Sequence, residues 1–104
     1  MMKIHIFFNF IINNENIINW KLKLDDTREG YCLYKDKIIY IGENVKEDDI
    51  YLKWLILHEI THILITDNHY SKEFNEKMIV LLKKYCSRKE RKKMQEYNKL
   101  YDLK

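Results

Sequence analysis

Between Ile50 and Ile65 the apolar residues Ile50, Tyr51, Leu52, Trp54, Leu55, Ile56, Leu57, Ile60, Ile63, Leu64 and Ile65 run around most of a helical circumference. A helix of that kind cannot lie on a surface; it has to be covered on nearly every side. A chain of 104 residues has material for one core, so the remaining segments must wrap this one. Within it, besides Lys53 and Thr61, stand the polar side chains His58, Glu59 and His62. Burying two imidazoles and a carboxylate is costly unless they share a partner, and a metal ion is a partner that removes the cost.

The spacing says which metal and what it would be for. His58 and His62 are four residues apart, so on a helix both rings leave the same face and can meet one ion. Neutral imidazole suits Zn²⁺, whose catalytic sites use three protein ligands and keep one position for water. Glu59 follows the first histidine, which places its carboxylate beside the metal rather than on it. There it can take a proton from zinc-bound water and later give it to the leaving amine, while the ion polarises the scissile carbonyl. One Zn²⁺ per chain and peptide or protein substrates are the expected cofactor and partner. His69, seven residues after His62 and just past the helix stop at Asp67-Asn68, is the favoured third ligand; Glu73 and Glu76 are the alternatives.

The segments before this helix read as strands. Residues 3–12 form an apolar run that suggests a buried strand, and the alternation in Trp20-Lys21-Leu22-Lys23-Leu24 suggests one with a wet face. Tyr31–Tyr34 and Ile38–Ile41 read as a hairpin joined at Lys35-Asp36-Lys37. After an N-cap at Asp48 or Asp49 comes the buried helix, then a second helix capped by Ser71 with Phe74, Met78, Leu81, Leu82 and Tyr85 turned inward. Cys86-Ser87 breaks it, and Arg88–Lys104 is a third helical pattern with a stripe of Met94, Tyr97, Leu100 and Tyr101. Strands first and helices after give an α+β domain: a small, mostly antiparallel sheet of three or four strands on the buried helix, followed by two further helices.

Composition narrows the class. With no proline and two glycines the chain is neither collagen-like nor a low-complexity linker. Cys32 and Cys86 have no CxxC spacing, so thiolate zinc ligation is not expected, and two reduced thiols are. The N-terminal apolar run is too short, and too interrupted by His5 and Asn9, for a signal peptide or a membrane span, which points to a cytoplasmic protein with no membrane partner. Residues 83–104 hold nine Lys or Arg against three acids. A solvated helix face is the favoured reading, and a nucleic-acid-binding surface the alternative. A further alternative is a non-catalytic, zinc-stabilised binding module.

At His58–His62 the chain resembles the zincin metallopeptidases. The metzincin branch asks for Gly three residues past the second His and a third His three residues later; Ile65 and Asn68 stand there instead. The run through His69 and Tyr70-Ser71-Lys72-Glu73-Phe74 is nearer to SprT-like and WLM-type peptidases. In size and element order the whole chain resembles the minigluzincins, small soluble archaeal zinc peptidases. That resemblance implies a histidine as third ligand, which maps onto His69, and Glu59 as general base. It also implies a zymogen kept latent by its C-terminal segment, here 88–104 after a catalytic core of 1–87, docked in its own chain or crosswise in a homodimer. Under this reading Ile38-Ile39-Tyr40-Ile41 would bind an extended substrate as an added strand.

Overall fold

The computed structural model describes residues 4–25, 30–42, 49–65 and 71–100. Along the chain these form α1 (Ile4–Asn14), β1 (Lys21–Asp25), β2 (Gly30–Leu33), β3 (Ile38–Gly42), α2 (Asp49–Leu64), α3 (Lys72–Tyr85) and α4 (Arg88–Leu100). The class is α+β as expected, with four helices instead of three.

The extra helix is α1, and it overturns the reading of residues 3–12 as a strand. Its buried residues are Ile4, Phe8, Ile11 and Ile12, one stripe at helical spacing, while Ile6 and Phe10 on the other side are exposed. An apolar run this dense satisfies both the helical and the strand period, and here the tertiary context chose the helix. The polar positions carried the clue: His5, Asn9 and Asn13 recur every four residues and are all exposed. The C-terminal end of α1 is tied down by Glu15, whose carboxylate accepts from Lys84 Nζ at 2.7 Å and Tyr85 Oη at 2.5 Å.

The sheet has three strands among the described residues, in the order β1-β3-β2. β2 and β3 form the expected antiparallel hairpin, with Tyr31 opposite Tyr40 and Leu33 opposite Ile38. β1 pairs parallel to β3, Leu22 opposite Ile39 and Leu24 opposite Ile41, so the sheet is mixed rather than mostly antiparallel. Apolar content explains the order. Ile39 and Ile41 are fully buried, which suits a central strand, whereas Lys21 and Lys23 flank buried Leu22 in an edge strand with one wet face. The hairpin turns at Tyr34–Lys37, where Lys37 takes φ of 55° and donates its N–H to the Tyr34 carbonyl.

Helix α2 is the axis of the domain. Tyr51, Leu52, Trp54 to Leu57 and Ile60 are buried, and the helix packs on α1, α3, α4, β2 and β3. Coverage from every direction is what its all-round apolar sequence requires. Ser71 caps α3 by accepting the Phe74 N–H at 3.0 Å, and Phe74, Met78, Leu81 and Leu82 face the core. A reciprocal capping box opens α4: Ser87 Oγ accepts from Glu90 N at 3.2 Å, and Glu90 Oε1 accepts from Ser87 N at 2.9 Å. The other oxygen of Glu90 meets Lys53 Nζ at 2.6 Å, pinning α4 to α2. Met94 is 1 % exposed and belongs to the main core cluster. The first turns of the C-terminal helix therefore pack on this chain's own core. No described helix is long and apolar enough to cross a membrane.

Candidate metal centre

His58 and His62 lie on consecutive turns of α2, their ring centroids 4.9 Å apart and their planes at 88°. Two imidazoles bound to one tetrahedral zinc at about 2.0–2.1 Å have ring centres roughly 5 Å apart, so the pair matches the spacing a shared ion demands. Glu59 is buried beside them, as is Thr61, whose hydroxyl bonds back to the Leu57 carbonyl at 2.7 Å. The donor set fits zinc in kind as well: two nitrogen ligands of borderline softness and an adjacent carboxylate that could serve a water.

The third ligand is less complete. His69 lies outside the described residues, and these contain no cluster of three or more potential metal-ligating side chains. Glu73 and Glu76 occupy exposed positions on the first turns of α3, and Glu76 is ion-paired with Lys72 at 3.8 Å. Neither has the burial expected of a side chain turned toward the two imidazoles.

Aromatic rings surround the histidines. Trp54, one turn before His58, stacks on it with centroids 5.0 Å apart and an interplanar angle of 15°. From α3, Phe74 meets both imidazoles, at 5.4 Å from His58 and 4.7 Å from His62. The i, i+4 spacing of Trp54 and His58 was readable in the sequence. The meeting of Phe74 with the pair was not, because nothing local announces a contact between two helices.

A second contact missed by sequence reasoning comes from the sheet. Tyr34, at the start of the hairpin turn, donates its hydroxyl to the His62 carbonyl at 3.0 Å, and its ring packs edge-on against Trp20. Carbonyls in the last turn of a helix have no intrahelical donors. Ile65 N–H supplies one for Thr61, and Tyr34 supplies one for His62. The hairpin is thereby fixed to the end of the helix that carries the histidines.

One sequence expectation is corrected around the site. β3 is paired on both sides, with β1 and with β2, so residues 38–41 have no open edge on which a substrate strand could add. The interior role follows from its apolar content. Cys86 is a free, buried thiol; desolvation, reinforced by the nearby Glu90 charge, pushes it up to about 11. A thiol so rarely ionised is a core residue, not a nucleophile.

No family model matches the chain, and comparison with curated proteins finds no match. Among solved structures, the fold is similar over the whole of both chains to the crystal structure of the metallopeptidase zymogen of Methanocaldococcus jannaschii jannalysin, with a TM-score of 0.65 and 25% sequence identity.

Proposed function

We propose that the protein is a zinc-dependent endopeptidase in which His58, His62 and His69 hold the ion and Glu59 is the general base. The observation that carries this reading is the pairing of His58 and His62 at 4.9 Å beside buried Glu59 on one helix. Its likeness, end to end, to a metallopeptidase zymogen supports it. When bound, zinc would lower the pKa of a water molecule and polarise the scissile carbonyl. The chain's own residues do the rest. The Glu59 carboxylate takes the proton released as that water attacks, and returns it to the departing amine nitrogen. Trp54 and Phe74 keep bulk water from the buried sides of the imidazoles.

Substrate would bind along β2 rather than β3. Among the described residues β2 is an edge strand; it lies against α2 and is held to the end of that helix through Tyr34. An extended peptide can add to such an edge through main-chain hydrogen bonds.

Latency is part of the same reading. The neighbour is described as a zymogen, and the C-terminal segment is the element that could cover a cleft. Met94 is already committed to this chain's own core, so the covering part would be residues 97–104.

The test is Glu59→Ala measured against wild type. The variant should fold, bind one zinc per chain, and lose hydrolysis of an unstructured protein such as casein by orders of magnitude. Equal rates for the two proteins would sink the peptidase mechanism. Retained zinc with no hydrolysis by either protein, even after C-terminal trimming, would favour the binding-module alternative.

A further inference from the structure

Metal-binding histidines need something to hold their rings in place before the ion arrives, commonly a carboxylate or carbonyl on the far nitrogen. In this chain aromatic rings also pack directly on the pair. Trp54 lies flat on His58 with centroids 5.0 Å apart, and Tyr51 is in turn stacked 5.9 Å from Trp54, so one face of His58 is backed by a column of aromatic side chains. Phe74 approaches from another helix and touches both imidazoles at once. Trp54 is 2 % exposed and Phe74 is 0 %, so neither ring has room to move away.

Two consequences follow from that geometry. A flat stack restricts rotation of His58 about its outer torsion, which is otherwise broad for an imidazole. Phe74 makes the orientation of the pair depend on how α3 docks, because its place is set by the Ser71 cap three residues earlier.

We infer that Trp54 and Phe74 are the positioning residues of the metal centre: they preorganise His58 and His62 for zinc through ring packing, Trp54 from the same helix and Phe74 from α3. The inference rests on the zinc reading above, and its test separates the two. Zinc affinity is measured by chelator competition and ligand geometry by the visible spectrum of the Co²⁺-substituted protein, neither of which requires turnover. Phe74→Leu should weaken zinc binding about 10- to 100-fold, the range seen when supporting groups around metal ligands are removed, and should alter the cobalt spectrum. Leu81→Ala, an equally buried change on the same helix, should lower thermal stability yet leave zinc affinity within about twofold, as independent sites do. Trp54→Leu should behave like Phe74→Leu, and Trp54→Phe, which keeps a stacking ring, should restore affinity to near wild type. That last pair decides the matter if Phe74→Leu fails to fold.

Equal zinc affinity in wild type, Phe74→Leu and Trp54→Leu would overturn the inference while leaving the peptidase reading intact. So would a loss in Leu81→Ala as large as that in Phe74→Leu, which would mark general loosening. A wild-type chain that binds no zinc would overturn the peptidase reading itself.

Discussion

Cutting the chain at two places distinguishes the structural part of α4 from any regulatory part. A stop after Ser87 removes Met94 from the core and Glu90 from Lys53. Truncating a buried methionine to alanine costs about 2–5 kcal/mol, and losing the half-buried, charge-assisted Lys53–Glu90 bond adds about 1.5–3 kcal/mol. Exposure of the α2 surface beneath α4 adds more. Against a total stability of about 5–15 kcal/mol for a domain of this size, the 1–87 chain should be largely unfolded or molten at 37 °C. A stop after Glu96 keeps Met94, Glu90 and the capping box, and should stay folded. Met94→Ala in the full chain should lower the melting temperature by at least about 8 °C, using about 4–8 °C per kcal/mol. Circular dichroism melts give stability, and hydrolysis of an unstructured substrate gives activity. If residues 97–104 cover the cleft, the 1–96 chain should be both folded and more active than the full chain. A cooperatively folded 1–87 chain with an unchanged melting temperature would refute the assignment of α4 to the core. A folded, zinc-loaded 1–96 chain with no gain in activity would refute latency.

Three further outcomes are expected. His69→Ala should lose zinc on dialysis, whereas Glu73→Ala and Glu76→Ala, at exposed positions, should keep it; metal analysis showing the reverse would move the third ligand to a glutamate. Burial pushes the carboxyls of Glu15 and Glu90 up, but hydrogen bonds from Lys84 and Tyr85 to Glu15, and from Lys53 and Ser87 to Glu90, outweigh it and hold both below the ordinary value of 4.5. Their stabilisation is therefore complete above about pH 4.5 and is lost as pH falls through the lowered values, so Glu15→Gln and Glu90→Gln should flatten the acid limb of stability against pH, and an unchanged limb in both would refute this. Cys86, pushed up to about 11, should resist a thiol reagent at pH 8 in the folded protein and react once denatured.

The parts of the fold legible in the sequence are those whose signals are local. The Ser71 cap, the Cys86-Ser87 break and the hairpin around Lys35-Asp36-Lys37 each depend on residues within a few positions of one another. The extent of α2 was legible for a related reason, since an apolar run of that length is too long for a buried strand. α1 was misread because its apolar run satisfies both periods, leaving only His5, Asn9 and Asn13 to separate them. Strand order was hidden too, because parallel pairing of β1 with β3 depends on which strand wins the sheet centre, and Lys21 lies opposite Ile38, far beyond the reach of local signals.

The candidate site divides along the same line, and the division has a mechanical meaning. His58, Glu59 and His62 were legible because one helical turn presents them together. What was not legible is how that turn is held, since the described grips on it from outside α2 arrive from distant segments. Tyr34 reaches the His62 carbonyl across 28 residues, and Phe74 reaches the His62 ring from the next helix. The two grips act on different parts of one residue: the sheet holds the backbone of His62, and α3 holds its ring. In larger zinc enzymes such restraint can be spread over many supporting groups; a domain of 104 residues has few to spare. Removing the sheet's grip alone, as in Tyr34→Phe, should leave the ring packed on Phe74 and zinc affinity nearly unchanged. It should still loosen the β2 edge relative to the metal, so the loss in kcat/KM should grow with peptide length along β2. A uniform loss for short and long peptides would mean that Tyr34 only closes the helix end and does not align substrate.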